Sequence, residues 1–467
     1  MHISNKKIST LSLTMLNISA IVSLSSVAYM ATIGLQSVFF YLIAAVTFLL
    51  PTSLICAELS SMITKNNGGV FSWVKAGLGE KAGVLAMWLE WFNNVVGFPS
   101  SVTALIATFS YIGFRGFAEN TQTSVTFWLI MVAVFIAISL FNCLPLRKVV
   151  VLNIIGAVFG MIIPGILLIS GAVYFLVTGQ SNLEYNGFSD LLPVFSVGTY
   201  ALLVKTLSSY SGIQSVAFHM TNIENPQKNI PKSILIATLI IVSLTILTTV
   251  GLTIIIPVQD VNVLNGLIQG ISQVLNIIGL GNVKPVVVVM ISLGMLAALS
   301  TWVLGPARGM QTAAEQELFP KIMAGKNRFG MPVNMLVIQI LIVLVLSSVF
   351  LVMPSVYAAF ALLIAITSQF TVVMWIMVFA AAIRLRFTQP HTHRVFYVGR
   401  RNSNWLLVTM SLVAIFMCML GFILGLFPPA FSHVKNVFQY TMILIVADII
   451  IIAIPLIWIW LHRKRIL

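Results

Sequence analysis

Two short runs of small and polar residues interrupt otherwise apolar segments of the chain. One run contains Ser23, Ser25 and Ser26, and the other extends from Ser208 to Gly212 with the sequence SSYSG. A helix that is broken in hydrocarbon exposes backbone amides and carbonyls, and these groups need a partner because no water is present. Free amides at the start of a half-helix attract a carboxylate, and free carbonyls at its end attract an ammonium group. The two runs therefore indicate a binding site for a ligand that carries both groups.

The predicted site would bind the two charged groups of the ligand at different ends. The amides of Ser25, Ser26 and Val27 would face the carboxylate, whereas carbonyls near Ser208 and Ser209 would face the ammonium group. Glycine at the second run would let the ligand approach the backbone closely. The candidate ligand-binding residues of the two runs are Ser23, Ser25, Ser26, Val27, Ser208, Ser209, Tyr210 and Gly212. A kinked helix that binds nothing is the alternative, because serine and glycine also occur at ordinary helix contacts in membranes.

The elements that hold these runs are membrane-spanning helices. Apolar residues make up 59% of the 467 residues and charged residues 8%, whereas soluble domains contain about 25% charged residues. The apolar runs are also much longer than the roughly ten residues of a strand in a membrane barrel. We therefore predict an all-α polytopic membrane protein that is embedded in lipid and forms a single transmembrane domain over residues 1–467.

The hydropathy pattern predicts twelve spans. Their approximate ranges are 10–33, 36–60, 82–112, 124–143, 149–178, 195–219, 232–257, 283–311, 332–353, 356–383, 404–427 and 437–461. All but four of the 25 Lys and Arg residues fall on the side of the N-terminus: Arg115, Lys284 and Lys435 lie on the other side, and Lys205 lies within a span. This bias predicts that both termini are cytoplasmic, and it accounts for the net charge of +14 without a nucleic-acid partner.

The two interrupted spans are the first and the sixth, which correspond to each other if the first ten spans form two sets of five. Because five is odd, the second set must be inverted relative to the first. We predict one repeat over 1–178, a second over 195–383 and two additional helices over 404–461. Paired interruptions in inverted halves are the sequence feature that indicates a transport site.

Four further motifs carry a family resemblance. They are NGGVFSWV at 67–74, NPQKNIP at 225–231, WVLGPARGM at 302–310 and GMPV at 330–333. In this order, the motifs resemble those of the amino acid–polyamine–organocation (APC) superfamily of carriers, and within it those of the bacterial exchangers of glutamate for γ-aminobutyrate. The resemblance implies a LeuT-like fold, alternating access and a location in the bacterial inner (plasma) membrane.

The resemblance also implies further site residues. Trp302 would cap or stack on the bound side chain, and Trp375 and Thr371 match or adjoin aromatic positions of the tenth span. This chain departs from the exchanger branch at two positions where an acid is usual, since it has Asn222 before the Asn-Pro turn and Ala298 in the eighth span. The resemblance therefore does not extend to glutamate specificity.

Charged residues within the spans are candidates for gating. A charged side chain in a membrane span costs about 2.5–3.5 kcal/mol on insertion scales and usually faces a cavity or a partner. Lys205 either extends toward the membrane surface or lies at the outer entrance, where it would favour neutral or anionic ligands over cationic ones. Glu90, between two tryptophans of the third span, and Asn222 are the other candidates for a gating or charge role.

These observations favour a secondary active transporter, and within that class a sodium-independent exchanger of amino acids. The alternatives are a proton- or sodium-coupled amino acid symporter and an amino acid sensor on a carrier scaffold. No cluster of carboxylates, histidines or cysteines indicates an enzyme, a metal site or a cofactor. Small amino acids are the expected partners, and the sequence is compatible with an oligomer.

Overall fold

A computed structural model gives the fold of the chain. The structure describes residues 10–462 except 12–13, 15–17, 19–20, 22–24, 64–68, 113–124, 146–147, 150–151, 153–154, 157, 195, 215–225, 353–355, 401–402 and 430–435. Throughout this described part the regular structure is helical, with no β-strand. This agrees with the predicted all-α class.

Fourteen helices of the described part are numbered here in chain order. They are α1 Ser25–Ala31, α2 Gln36–Met62, α3 Val70–Leu78, α4 Glu80–Phe109, α5 Val125–Phe141, α6 Val158–Val177, α7 Leu202–Ser209, α8 Pro226–Ile255, α9 Gly266–Ile277, α10 Lys284–Glu315, α11 Val333–Ser347, α12 Val356–Thr388, α13 Trp405–Gly425 and α14 Val437–Leu461. Both α2 and α6 contain one π-helical turn.

Nine helices of the described residues are long and apolar enough to cross a membrane, namely α2, α4, α6, α8 and α10–α14. A tenth helix, α5, is equally apolar but has 17 residues. Helix α7, in the predicted sixth span, is shorter with eight residues, and the predicted first span is described only in part. The chain is therefore a multi-pass membrane protein, because apolar helices of this length and number bury their surface only in lipid.

The interruption predicted in the sixth span is present. Helix α7 ends at Ser209, Tyr210 forms a turn, and Ser211 and Gly212 are not helical. Gly212 has a φ of 143°, a backbone conformation that residues with a side chain rarely adopt. The corresponding interruption of the first span, at 22–24, lies outside the described residues.

Helix α9 was not predicted, because the segment between the seventh and eighth spans reads as a connection. Its buried residues include Leu267, Ile268, Ile271, Val274 and Leu275, the spacing of an amphipathic helix that lies against a core. At twelve residues it is too short to span a bilayer. It packs against α1 instead, at a contact between Gly266 and Ala28 so close that a methyl group on the glycine would lie 2.8 Å from the Ala28 Cβ.

Two helices form the centre of the molecule. In the most apolar stretches of α4 and α12, 67% and 72% of the residues are buried. In those of α13 and α14, 33% and 28% are buried. The centre thus consists of the third and tenth predicted spans, and the last two helices lie at the periphery. The turn Val158–Ile162 meets α10 backbone to backbone, since a Cβ on Gly160 would lie 2.1 Å from the Gly294 Cα. Such close approach requires small residues on both sides.

A buried ion cluster joins one end of α2 to one end of α12. The Oε2 atom of Glu58 accepts hydrogen bonds from Nη2 of Arg386 at 3.1 Å and from the Val398 amide at 2.7 Å. The Oε1 atom of Glu58 lies 3.4 Å from Nε of Arg394. Every charged side chain of the cluster is nearly inaccessible, so the cluster fixes the segment after α12 against the helix ends.

Candidate functional site

A cavity of about 330 Å³ lies between α1, α4, α7, α9, α10 and α12. Its volume is at the lower end of the range for small-molecule sites, roughly 300–1,000 Å³. Six residues singled out from the sequence are on its wall: Glu90, Lys205, Ser208, Ser209, Trp302 and Thr371. The cavity therefore brings together side chains from four of the predicted spans.

The serines of the sixth-span interruption attach it to its neighbours. The Ser208 hydroxyl donates to the carbonyl of Lys205 at 3.0 Å and lies 3.0 Å from the Ser368 hydroxyl of α12. The Ser211 hydroxyl accepts a hydrogen bond of 2.8 Å from Nε1 of Trp375, also on α12. These two contacts hold the irregular backbone against the central helix.

A glutamine that the sequence did not single out lies beside the interruption. The Gly212 amide donates to Oε1 of Gln214 at 2.9 Å. Gln214 lines the cavity together with Glu90 of α4. The segment of the interruption thus contributes a polar side chain to the same cavity as the acidic residue.

Three predicted site residues lie behind the wall. Val27, Tyr210 and Trp375 are 1% exposed or less and do not line the cavity. The Trp375 ring packs edge-on against Phe48 and supports Ser211, while the Tyr210 ring lies 6.0 Å from that of Tyr41. Gly212 is also absent from the wall, because its amide is directed to Gln214.

The first-span candidates are described only in part. Ser25, Ser26 and Val27 are helical residues of α1, and residues 22–24 that precede them lie outside the described part of the chain. That their amides bind a carboxylate stays a prediction. Ser23 and Asn222 lie outside the described residues.

The cavity has two charged residues, and neither is neutralised by an ion pair. Lys205 has no ion-pair partner within 4 Å in the described part of the chain, and the same is true of Glu90. The expectation that a cationic ligand is excluded rested on Lys205 and on the neutral residues Asn222 and Ala298. Since Glu90 shares the cavity, exclusion of cations no longer follows from the charge of the wall.

A polar stripe along α4 was missed in the sequence. Glu90, Asn93, Asn94, Gly97 and Ser101 all line the cavity. Their spacing of three or four residues places them on one face of a helix. This spacing is the feature of the sequence that could have predicted the stripe. The Asn94 side-chain amide donates to the Glu90 carbonyl at 2.7 Å, which leaves its side-chain oxygen as an acceptor.

Helix α10 forms the opposite wall with Met295, Ala298, Thr301 and Trp302. None of these four side chains is charged. The Thr301 hydroxyl is bonded to the Ala297 carbonyl at 3.0 Å. Within the described residues, no three His, Cys, Asp or Glu side chains come together as metal ligands.

Comparison with known proteins places this architecture in a family. The family model for amino acid permeases matches residues 8–447. An uncharacterized transporter of Legionella pneumophila is 32% identical over 100% of this chain and 98% of its own length. A glutamate/gamma-aminobutyrate antiporter of Lactococcus lactis is 28% identical over 99% of this chain and 92% of its own length. A probable agmatine/putrescine antiporter of the same species is 28% identical over 53% of this chain and 52% of its own length. The chain therefore belongs to the amino acid permease family of the APC superfamily.

Proposed function

We propose that this protein is a secondary active transporter that exchanges amino acids across the bacterial inner membrane without sodium. The observation that carries the proposal is the position of the cavity, which lies at the sixth-span interruption between the two most buried helices. Interrupted helices at such a depth provide the polar groups that a zwitterion needs inside a bilayer. Two relatives named as antiporters support exchange rather than net uptake.

Alternating access requires the proposed topology. In this topology twelve spans form two inverted repeats over 1–178 and 195–383, followed by two additional helices over 404–461, and both termini are cytoplasmic. The first span, which contains α1, and the sixth span, which contains α7, would occupy corresponding positions in the two repeats. Movement of one repeat relative to the other would expose the same cavity first to one side of the membrane and then to the other.

Independence from sodium is supported by the hydroxyl groups of α10. A sodium site would need oxygen ligands that converge, and Ser300 and Thr301 are the adjacent hydroxyl residues of this helix. The Ser300 hydroxyl donates to Oδ1 of Asn142 at 2.9 Å and is fully buried. Thr301 lines the cavity with its hydroxyl bonded to its own helix. The two hydroxyls therefore point in different directions.

Counterflow in proteoliposomes tests the proposal. Vesicles are loaded with one unlabelled amino acid at a time, and uptake of the same labelled amino acid is measured with and without a sodium gradient. An exchanger takes up label only when the vesicle is loaded, and the sodium gradient has no effect. Uptake that requires sodium or a proton gradient and ignores the internal load would identify a symporter. Binding without any uptake would identify a sensor.

A further inference from the structure

Helix α9 begins on the wall of the cavity. Asn265, the residue before the helix, lines the cavity, and so do Gly266, Leu267 and Ile268 of its first turn. The Gln269 amide donates to the Asn265 carbonyl at 3.0 Å. The three amides before it, those of residues 266–268, have no backbone acceptor in the described part of the chain, as expected for a first helical turn. The cavity thus receives the electropositive end of a twelve-residue helix.

The Asn265 side chain is an independent indication of a ligand at this end of the cavity. The residue is 4% exposed, and its Oδ1 atom is buried without a donor in the described part of the chain. The side chain does not cap the helix either. A buried polar group without a partner costs free energy that a bound group can recover. Because no described partner fixes the orientation of this amide, its NH₂ group can face the cavity and donate there.

Lys205 brings a positive charge to the same part of the cavity. A Cβ on Gly266 would lie 2.8 Å from the Ala28 Cβ of α1, and the Thr206 hydroxyl of α7 lies 3.3 Å from the Met30 sulfur of the same helix. Helices α9 and α7 therefore flank one short segment of α1. Lys205, next to Thr206, lines the cavity and has no ion-pair partner within 4 Å among the described residues. Its ammonium group attracts an anion here without a direct contact.

The acids near this end of the cavity do not occupy it. Asp260, in the segment before α9, is exposed and does not line the cavity. Its backbone carbonyl, and not its carboxylate, accepts from the Gln269 side chain at 2.9 Å. Glu90, the other charged residue of the wall, belongs to α4. The amides of α9 are therefore not neutralised by a carboxylate of their own segment.

We propose that the α9 end of the cavity is a binding site for a small monovalent anion, such as a carboxylate group or chloride. The first-turn amides of α9 and the Asn265 side chain bind the anion, and Lys205 attracts it. Amides at a helix N-terminus suit such a group because they donate toward it along the helix dipole. The site is separate from the α1 amides predicted from the sequence, and it does not depend on the proposed exchange. Its occupant is the carboxylate of a bound amino acid or a free anion.

The test measures thermal unfolding of the purified full-length protein while sodium acetate or sodium chloride replaces a bulky organic sulfonate at constant ionic strength. At least one of these small anions should raise the unfolding temperature of the wild type in a saturable manner. Asn265→Asp places a carboxylate at the helix N-terminus and should weaken binding of that anion on the order of 100-fold, because like charges repel. Asn276→Asp is the matched control, since it adds the same charge to the exposed other end of α9, outside the cavity.

Two further variants separate binding from folding. Asn265→Leu removes an amide that has no described partner, so the unfolding temperature in the sulfonate buffer should be unchanged or raised, while anion binding weakens about 10-fold. Lys205→Gln should weaken it about 3- to 10-fold. If Asn265→Asp does not fold, Asn265→Leu decides. A wild type without a saturable response to either anion would overturn the proposal. So would wild-type anion affinity in Asn265→Leu, or a lower unfolding temperature of this variant in the sulfonate buffer.

Competition identifies the source of the anion. An amino acid that the wild type exchanges in counterflow is titrated at several acetate concentrations. Competitive binding would mean that the carboxylate of the amino acid occupies the site, and simultaneous binding would mean that a free anion does. Either result supports the site. Exchange by a wild type that binds neither small anion would overturn this inference alone, whereas anion binding without any exchange would overturn only the proposed function.

Discussion

At the scale of single residues, the Glu58 cluster and the charged residues of the cavity differ in their partners. The Glu58 carboxylate is matched by two guanidinium groups and a backbone amide, and this cluster lies away from the cavity. The charges of Glu90 and Lys205 are unmatched by ion pairs in the described part of the chain and line the cavity. A buried charge without a partner is retained only at a cost, so the first arrangement is structural and the second is suited to a charged ligand.

Arg386→Ala should lower the stability of the protein strongly. It would leave the Glu58 carboxylate with a more distant guanidinium and remove a hydrogen bond to the Val398 carbonyl. Breaking a buried pair by removing one partner costs about 3–5 kcal/mol. The measurement is the unfolding temperature in detergent, followed by size-exclusion chromatography. The control is Lys321→Ala, whose pair with Glu317 is largely exposed and contributes about 0–1 kcal/mol. Equal unfolding temperatures for the two variants would contradict the structural role of the cluster.

Trp302→Ala should weaken binding more for ligands with long apolar chains than for short ones. The indole lines the cavity, and each methylene group that it buries contributes about 0.8 kcal/mol. The measurement is the dissociation constant for a series of amino acids of increasing chain length. Trp405→Ala is the control, because that side chain is 72% exposed at the start of α13. A uniform loss across the series would mean that Trp302 shapes the cavity without contacting the ligand.

At the scale of elements, the sixth-span interruption is a fixed structure. Trp375 and Ser368 of α12 hold it on one side, and the Gly212 amide donates to the Gln214 side chain on the cavity wall. Irregular backbone at membrane depth is tolerated only where protein or a polar cavity satisfies it. The central helix α12 and Gln214 therefore define the conformation of the segment that lines the cavity.

Gly212→Val should abolish ligand binding while the protein still folds. A φ of 143° is unfavourable for any residue with a side chain and most of all for a β-branched one. Backbone adjustment would misplace the Gly212 amide that donates to Gln214, and with it the Gln214 side chain on the cavity wall. Binding is measured by thermal shift with and without amino acids. Gly305→Ala on α10 is the control, since a Cβ there meets no atom within 4 Å. Wild-type affinity in Gly212→Val would mean that the interruption does not position the site.

At the scale of the whole molecule, burial decreases from the centre outward. The cavity adjoins α4 and α12, whereas α13 and α14 add apolar surface at the periphery. Exposed side chains on α14 include Phe438, Ile449 and Trp460, as expected for a helix that faces lipid. The helices around the cavity are thus the unit to which the proposed exchange belongs.

The proposed topology can be checked by cysteine labelling in intact cells. Cysteine is introduced at Glu184 or at Lys321 in a variant that lacks Cys56, Cys143 and Cys418. Both positions are exposed in connecting segments. A membrane-impermeant maleimide should label Glu184→Cys in intact cells and Lys321→Cys only after lysis, since an odd number of proposed spans separates them. Labelling of both positions, or of Lys321→Cys alone, would contradict the orientation.

The sequence determined the helices, because membrane helices are local: a long apolar run must satisfy its backbone internally whatever surrounds it. It also determined the sixth-span interruption, since Ser208 to Gly212 cannot be mistaken for apolar helix. Only the tertiary structure decided which side chains face the cavity, because this depends on the rotation of each helix against its neighbours. Trp375 and Tyr210 are turned away from the cavity, whereas Gln214 lines it. The position of helix α9 was likewise decided by its contact with α1, because no local sequence pattern specifies that contact.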